Sequence, residues 1–355
     1  MNLEAMGLTK NLKNDFDRLK HNEEMIIGRV ALEHKRMYRV WTEQGELLCE
    51  VTGKFSFDAV NREDYPAVGD WVILKPRTEE GKGSIYSVLP RFSKFSRKSA
   101  GRTAEEQIVA ANVDTIFLVN SLNDDLNLRR MERYLLLAWE SGANPVIILS
   151  KADLCANIEE KLSVVQAIAF GGVPVIPISA ETMSGLEQLG PYLQPGKTIA
   201  LLGSSGVGKS TLTNRLLGDE KQVVQEIRRA DDKGRHTTTH RELIQLPNGS
   251  ILIDTPGMRE LQLWESSDGL SETFSDIDEL AEECRFRDCQ HTDEPGCAVV
   301  GAIVEGALAP ERLTSYNKLQ KELSYIERKA DKRAQTEVKN KWKNITKQMR
   351  QKKKF

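Results

Sequence analysis

The stretch that decides the fold reads Gly203-Ser204-Ser205-Gly206-Val207-Gly208-Lys209-Ser210, and Thr211 follows it. It matches the pattern G-x-x-x-x-G-K-[S/T] and lies between an apolar run, Thr198–Leu202, and a helix-forming segment, Lys209–Leu217. In this pattern the glycines let backbone N–H groups surround phosphates, Lys209 contacts the β and γ oxygens, and the Ser210 hydroxyl reaches Mg²⁺. The sequence therefore predicts a nucleotide-binding phosphate loop between a buried strand and a helix.

Two segments after the phosphate loop carry further phosphate and magnesium signals. The buried run Ile251–Asp254 ends in D-x-x-G, where Asp254 can hold the Mg²⁺ shell and the Gly257 N–H can reach the γ-phosphate. The polar segment 234–239 contains Thr237 and Thr238 and is of the kind that closes over Mg²⁺ and the γ-phosphate. The expected magnesium ligands are the side chains of Ser210, Thr238 and Asp254.

Two segments before the phosphate loop resemble guanine-recognition motifs. Ser150-Lys151-Ala152-Asp153 ends an apolar run and resembles N/T-K-x-D, in which the Asp accepts hydrogen bonds from guanine N1–H and N2–H₂. Adenine cannot donate at those positions. Ser179-Ala180 ends the next apolar run and resembles the backbone contact to guanine O6. Together with the phosphate loop, these segments predict a guanine-nucleotide site.

The order of the motifs indicates a circular permutation. Ordinary small GTPases run from phosphate loop to switch, D-x-x-G, base signature and S-A, whereas here Asp153 and Ser179 precede Gly203. Between residues 110 and 258 apolar strands alternate with helical segments, which predicts a parallel sheet wound on both faces. In this order the D-x-x-G segment leads directly into the C-terminal part of the chain.

The segment before this α/β region has an all-β texture. Residues 26–89 contain four or five short apolar runs separated by turn signals, which predicts a small barrel of SH3 or OB type. OB barrels often bind oligonucleotides, but the fold alone does not establish that use. Residues 1–25 are polar and predict a short helix or a loose arm.

Three cysteines and a histidine fall within fourteen residues of the C-terminal region. Cys284-x₄-Cys289-x-His291-x₅-Cys297 offers three thiolates and an imidazole, a closed set of the kind that structural zinc prefers. The spacing differs from that of common zinc fingers, so unrelated thiols are the alternative. Cys49 and Cys155 stand alone and read as small hydrophobic residues.

Charge is distributed unevenly along the chain. The 355 residues carry a net charge of −2, but residues 328–355 hold twelve basic and two acidic residues, a charge of +10, which leaves −12 on the remainder. A second basic segment, Arg91–Arg102, has five cations, no acid, and the rings of Phe92 and Phe95. Both segments suit a polyanionic partner, and the alternatives are a solvated helix for the tail and a flexible linker for 91–102.

Composition limits the class of protein. With 39% hydrophobic and 29% charged residues, the chain is globular rather than intrinsically disordered, and its near-balanced charge excludes a wholly cationic RNA-coating protein. The sequence offers no apolar window of the roughly 18 residues that a membrane span needs and no apolar core of a secretory signal near the start. A cytoplasmic protein with no membrane partner is the expectation.

These motifs together resemble the RsgA (YjeQ/YloQ) family of circularly permuted GTPases, which assemble the bacterial small ribosomal subunit. The resemblance rests on the β-barrel, the permuted motif order and the C-x₄-C-x-H-x₅-C cluster, and it implies a multidomain α/β protein. The expected regions are an N-terminal extension (1–25), an OB-type RNA-binding barrel (26–99), a circularly permuted GTPase domain (100–264) and a helical zinc-binding domain with a basic tail (265–355).

The resemblance also implies an activity and partners. It implies GTP hydrolysis to GDP and phosphate, stimulated by the 30S subunit, with Mg²⁺ accompanying GTP, one structural zinc per chain, contacts to 16S rRNA and a monomeric protein. Two other interpretations stay open: an rRNA-binding module in which nucleotide is a structural ligand, and a GTPase that handles metal.

The resemblance bears on two single residues as well. Ser150 stands where the family signature has Asn or Thr, and this change is expected to weaken the tie between the two loops. Met258 follows D-x-x-G, where Ras-like enzymes place the Gln that orients water, and a thioether cannot do so. His236 is the nearest polar candidate for that role, and the resemblance points to the same residue; a histidine that only stacks on the switch is the alternative.

Overall fold

The computed structural model describes residues 2–20, 22–98, 106–123, 126–218, 241–254, 268–292, 294–325 and 328. The chain divides into two compact units, Met1–Gln262 and Leu263–Phe355, and each is described by itself. The helices of the described ranges include none that is long and apolar enough to cross a membrane.

The first part of the larger unit is a closed five-stranded barrel. Its strands are β1 (Ile26–His34), β2 (Met37–Thr42), β3 (Gly45–Val51), β4 (Trp71–Arg77) and β5 (Lys82–Val88), with helix α2 (Gly53–Asp58) after β3. The strands pair in the order β1-β2-β3-β5-β4, and β4 returns to pair with β1. Because β3 and β5 run parallel in this closed order, the barrel is of the OB rather than the SH3 type.

The N-terminal residues form a helix that covers the barrel. Helix α1 (Lys10–Leu19) begins where the Thr9 side chain accepts a hydrogen bond from the Leu12 N–H at 3.3 Å. The apolar side chains of this region share one cluster with the barrel, formed by Leu3, Met6, Leu12, Met25, Ile27, Trp71, Ile73 and Leu89. Of the two interpretations of residues 1–25, the packed helix is therefore the correct one.

A two-stranded ladder follows the barrel, so the described part of the basic segment, residues 91–98, is not simply a linker. Strand β6 (Lys94–Lys98) pairs antiparallel with β7 (Glu106–Ala111). Arg91 is drawn inward by the buried Asp70, to whose carboxylate it donates hydrogen bonds of 2.7 and 2.8 Å. Phe95 is 2% exposed. Neither side chain is available to the predicted nucleic-acid patch, because the Arg91 guanidinium pairs with Asp70 and the Phe95 ring is buried.

The second part of the larger unit is the predicted parallel sheet. Its strands are β8 (Thr115–Ser121), β9 (Asn144–Ser150), β10 (Val175–Pro177), β11 (Thr198–Leu202), β12 (Arg241–Gln245) and β13 (Ile251–Asp254). They lie in the order β10-β9-β8-β11-β13-β12, and every pairing is parallel except that of β12 with β13. Helices α3 (Leu128–Ser141), α4 (Ile158–Gln166) and α5 (Lys209–Leu217) connect them. The phosphate loop leaves the sheet after its central strand β11.

One predicted helix takes a different form. The apolar spacing of Met183–Leu193 predicts an α-helix, whereas the structure has a 3₁₀ helix over Leu186–Tyr192. Met183 has a left-handed φ of 66°, which prevents an α-helix from running through it. Pro191 lies inside the segment and has no N–H to donate, so the regular α pattern cannot form there either.

The barrel and the parallel sheet form one continuous sheet. Strand β1 pairs antiparallel with β12, with Leu32 opposite Glu242 and Glu33 opposite Arg241. Strand β12 is the outer strand of the six-stranded part, so the barrel occupies an edge that would otherwise present free backbone groups. The Arg39 guanidinium of β2 lies 3.8 Å from the Glu242 carboxylate across this junction.

A buried arginine of β1 also links the barrel to the parallel sheet. Arg29 is 1% exposed and donates to the Met6 carbonyl at 2.5 Å, the Thr198 hydroxyl at 2.8 Å and the Asn112 carbonyl at 3.2 Å. Burial lowers the pKa of Arg29 to about 10, so the guanidinium is still charged at neutral pH. Its donors thus join the N-terminal arm, the barrel and the first residue of β11.

The smaller unit is helical. Its helices are α6 (Asp268–Thr273), α7 (Ser275–Glu282), α8 (Ala298–Val304) and α9 (residues 310–325). Arg312 of α9 is 5% exposed, pairs with Asp276 at 2.7 Å and lies 4.6 Å from the Phe274 ring centroid. The cysteine-rich loop lies between α7 and α8.

Candidate nucleotide site and metal centre

The phosphate loop is shaped by close backbone packing. A Cβ on Gly203 would lie 2.2 Å from the Val119 carbonyl oxygen of β8, so only glycine fits there. Gly208 has a φ of 94° and directly precedes α5, a helix N-terminus of the kind whose free backbone N–H groups favour a phosphate. Lys209 Nζ donates to two carbonyls of the same loop, those of Gly203 and Ser204, both at 2.6 Å. Its charge is therefore held where a polyphosphate would lie.

Arg130 adds a second cation to this loop. It lies in the first turn of α3, which begins where Asn127 Oδ1 accepts the Arg130 N–H at 3.0 Å. Its guanidinium donates to the hydroxyl of Ser204. Lys209 and Arg130 therefore contact the same loop residue from two sides, and both carry charge that favours a bound phosphate.

The Ser150–Asp153 segment is tied to the phosphate loop. Ser150 is buried at the end of β9, and its Oγ donates to the Val207 carbonyl at 2.6 Å. The tie between the two loops is therefore present with serine, because the buried strand end brings the short hydroxyl within bonding distance; whether it is weaker than with Asn or Thr stays a prediction. Lys151 has a left-handed φ of 58°, which turns the chain so that Asp153 falls in the 3₁₀ turn Ala152–Leu154.

The Ser179–Ala180 loop lies beside that segment. The Ala152 N–H donates to the Ile178 carbonyl at 3.0 Å, which joins the two predicted base-recognition loops. Ser179 is 1% exposed; its N–H donates to the Ser184 carbonyl at 2.9 Å, and its Oγ accepts the Thr182 N–H at 3.1 Å. The Ala180 carbonyl accepts a hydrogen bond of 2.8 Å from Arg215 Nε of α5. The phosphate helix and both base loops thus meet at one edge of the sheet.

The remaining predicted site residues divide into two groups. Ser205, Gly206, Ser210 and Thr211 lie exposed on the loop and the first turn of α5, where a ligand can reach them. The backbone of Asp254 ends β13. His236, Thr237, Thr238, Gly257 and Met258 lie outside the described residues, so their predicted roles in the switch, the Mg²⁺ shell and water orientation remain predictions.

The cysteine cluster brings its four predicted ligands together. The ligand atoms of Cys284, Cys289, His291 and Cys297 lie within 4.8 Å of one another. Cys284 Sγ is 3.8 Å from Cys297 Sγ, and His291 Nδ1 is 3.7 and 3.5 Å from these two sulfurs. With Zn–S bonds of about 2.3 Å, the ligand atoms of a tetrahedral site lie about 3.8 Å apart. The donor set therefore fits zinc in both chemistry and spacing.

Glu294 organises the backbone that presents the histidine ligand. Its carboxylate accepts the Gln290 N–H and the Thr292 N–H, each at 2.9 Å, and these residues flank His291. The same backbone donors lower the pKa of Glu294 to about 2. His291 has a left-handed φ of 55°, which is uncommon for a residue with a side chain, and the two bonds to Glu294 hold the backbone on either side of it.

Sequence reasoning missed three residues of these sites: Arg130, Arg215 and Glu294. Each of them makes a hydrogen bond to a backbone or hydroxyl group, and no known sequence motif includes these three positions. A partial signal exists for Arg130, because it opens the helix after a parallel strand, and ligands bind at the carboxyl ends of such strands. Arg215 and Glu294 carry no signal beyond their nearness to a motif.

The strand order and the loops at its carboxyl edge define a class. A phosphate loop after the central strand, with base loops that precede it in sequence yet lie beside it in space, is the arrangement of a circularly permuted P-loop GTPase. Comparison with family models agrees: residues 88–264 match the RsgA GTPase model, and residues 198–341 match a model described as 50S ribosome-binding GTPase.

Curated relatives make the assignment specific. The chain is 49% identical over 325 residues to small ribosomal subunit biogenesis GTPase RsgA 2 of Lactiplantibacillus plantarum, covering 92% of this chain and 90% of the relative. It is 42% identical to RsgA 1 of Listeria innocua, covering 99% of this chain and 97% of the relative. The chain belongs to the RsgA family and is a GTP-hydrolysing enzyme.

Solved structures resemble the fold as well. YjeQ from Thermotoga maritima is 30% identical with a TM-score of 0.63, covering 84% of this chain and 98% of that structure. YloQ, whose structure is described as a circularly permuted GTPase, is 26% identical with a TM-score of 0.61, covering 86% of this chain and 96% of that structure.

Proposed function

We propose that this GTPase binds the small (30S) ribosomal subunit, acts late in its assembly, and uses hydrolysis of GTP to time its release. The observation that carries the proposal is the joining of both base loops to the phosphate loop through Ser150 and Ala152 in a chain whose relatives are named for small-subunit biogenesis. The OB barrel adds a fold that commonly binds oligonucleotides.

The test is hydrolysis and sedimentation with purified 30S particles. Turnover should be slow alone and faster with 30S, and co-sedimentation should be tighter with a non-hydrolysable GTP analogue than with GDP. A coupling typical of two-site systems corresponds to roughly 5- to 150-fold in affinity. Equal binding with GTP analogue and GDP, and turnover indifferent to 30S, would favour an rRNA-binding module that uses nucleotide as a structural ligand.

We assign nucleotide selectivity to Asp153. Its carboxylate can accept from guanine N1–H and N2–H₂, and a site built for such donors rejects a base without them by several orders of magnitude. Asp153→Asn should bind GDP more weakly and gain affinity for the xanthine nucleotide, whose C2 carbonyl accepts from an amide N–H₂. Competition by ADP as strong as that by GDP in the unaltered protein would contradict the assignment.

We propose that zinc is structural, with one ion held by Cys284, Cys289, His291 and Cys297. Cys297→Ser should lower the zinc content and the thermal stability of the C-terminal unit while GDP still binds. A stoichiometric zinc that resists chelators opposes the alternative of a metal-handling GTPase; rapid exchange of zinc with free chelator would favour it.

We assign Mg²⁺ to Ser210, Thr238 and Asp254 together with the phosphates of GTP, and orientation of the attacking water to His236. His236→Ala should reduce 30S-stimulated hydrolysis far more than GDP affinity. Unchanged stimulated hydrolysis in that variant would remove His236 from the role. We also propose that the protein is cytoplasmic and monomeric. Light scattering of the free protein measures its molar mass and so tests the monomer.

A further inference from the structure

The phosphate helix and the two base loops are connected by three hydrogen bonds. Ser150 Oγ joins the first base loop to the phosphate loop, and the Ala152 N–H joins the first base loop to the second. The third bond, from Arg215 Nε to the Ala180 carbonyl at 2.8 Å, returns from the second base loop to α5, the helix that continues the phosphate loop. Arg215 therefore completes a closed set of contacts that joins the phosphate loop, the first base loop and the second base loop.

The place of Arg215 suits a charged donor. It lies in the last turn of α5, which ends at Gly218, where the carbonyl ends of the helix favour a cation. Its side chain leaves the helix toward the Ala180 peptide, whose carbonyl it holds. Because the peptide unit is planar, holding this carbonyl fixes the plane of the Ala180–Glu181 peptide and so restricts the backbone of Ala180, which belongs to the predicted guanine contact.

We propose that Arg215 is a positioning residue for guanine recognition: by holding the Ala180 carbonyl, it keeps the Ser179–Ala180 backbone in register for contact with guanine O6. The inference rests on the proposed guanine site. It predicts that Arg215 affects affinity only for nucleotides whose base carries an acceptor at position 6. The hydrogen bond that the structure gives Arg215 is to the Ala180 carbonyl of the second base loop, so we expect its loss to affect the base contact and not nucleotide binding in general.

The test compares GDP with the diphosphate of 2-aminopurine riboside, which keeps N2–H₂ but lacks both O6 and N1–H, so each variant is compared with the unaltered protein separately for each nucleotide. Arg215→Met keeps the length of the side chain and removes the donor, so GDP affinity should fall about 3- to 10-fold, the worth of one such bond. Affinity for the 2-aminopurine nucleotide should change less than about twofold. Arg215→Gln places an amide N–H₂ where Nε was, and it should restore most of the GDP affinity.

Control measurements distinguish an unfolded variant from a wrong inference, and a wrong inference from a wrong guanine site. Arg77→Met, an exposed arginine of the barrel, should leave both affinities unchanged, and melting temperatures report whether each variant is folded. Equal weakening of both nucleotides, or no weakening of GDP, in a folded Arg215→Met variant overturns the inference. If the unaltered protein itself does not prefer GDP over ADP, the proposed guanine site fails instead.

Discussion

The Ser150 hydroxyl joins the first base loop to the phosphate loop, at a position where the family signature has Asn or Thr. Its Oγ has two carbonyls in reach, Val207 at 2.6 Å and Asn120 at 3.2 Å, and the shorter bond joins the base loop to the phosphate loop. The Gly208 Cα of this loop also packs close enough that a Cβ there would lie 3.7 Å from Ser150 Oγ. The shorter distance favours Val207 as the acceptor of the single hydroxyl proton.

A substitution series at this position tests that contact. Ser150→Ala leaves the Val207 carbonyl without this donor, and we expect a loss of about 1 kcal/mol in GDP binding, close to fivefold. Ser150→Thr keeps the hydroxyl and should bind GDP much like the unaltered protein. Titration of fluorescently labelled GDP measures both, and an alanine variant with full affinity would show that the bond does not support the site.

At the residue scale, motifs predict the groups that touch the ligand and miss those that hold them. Asp153, Lys209 and the glycines are visible in sequence because their chemistry fixes their spacing. Arg130 and Arg215 reach their partners, Ser204 and Ala180, only after α3 and α5 have packed against the sheet. Such contacts depend on tertiary geometry, so a single sequence cannot reveal them.

Among the elements, the cysteine loop is supported by a carboxylate that is not itself a predicted zinc ligand. Glu294 holds the N–H groups on both sides of His291, whose left-handed backbone needs that support. Glu294→Ala should weaken zinc binding about 10- to 100-fold, as loss of a supporting partner commonly does. Competition with a chromogenic chelator measures the affinity.

A matched control lies in the same unit. Glu305 is exposed and follows α8, so Glu305→Ala removes an equal charge outside the cysteine loop. If both glutamate variants weaken zinc binding equally, the effect is one of net charge and the loop argument is wrong.

The junction of β1 with β12 can be tested by cross-linking. Opposed residues of antiparallel strands have Cα atoms roughly 4.5–5.5 Å apart, within the range of a disulfide. Leu32→Cys with Glu242→Cys should therefore form a cross-link under mild oxidation, detected by peptide mass spectrometry. Leu32→Cys with Gln245→Cys, about 10 Å further along β12, should not. Equal yields would refute the register.

Element prediction succeeded where periodicity and end signals agreed. The spacing and ends of Leu128–Ser141 and Lys209–Leu217 predict both helices with the bounds observed. It failed at Met183–Leu193, where the left-handed Met183 and Pro191 override apolar spacing. It also failed to foresee the ladder of β6 and β7, because the basic residues of 91–102 indicate a nucleic-acid patch or a flexible linker until the structure shows Asp70 and Glu106 as partners of Arg91 and Lys94.

At the scale of the whole molecule, the basic residues 328–355 should act through charge alone. Deleting them should weaken 30S binding by similar factors with GTP analogue and GDP and should flatten the dependence of affinity on salt. A shuffled tail of the same composition should bind like the original. If the shuffled tail behaves like the deletion, the tail is read by sequence and not by charge.

The pairing of β1 with β12 also bears on how the chain is made. Leu32 and Glu242 are 210 residues apart, whereas β1 finds β4 through Ile26 and Leu74 far sooner. At about 5–20 residues per second, β1 leaves the translating ribosome roughly 10 to 40 s before β12. We expect the barrel to close first and to offer the free edge of β1 as a template on which the nucleotide-binding sheet is finished. Protease resistance of the barrel in nascent chains stalled before residue 241 would show this order. In it, β1 is synthesised first and stays unpaired along one edge until β12 emerges from the ribosome.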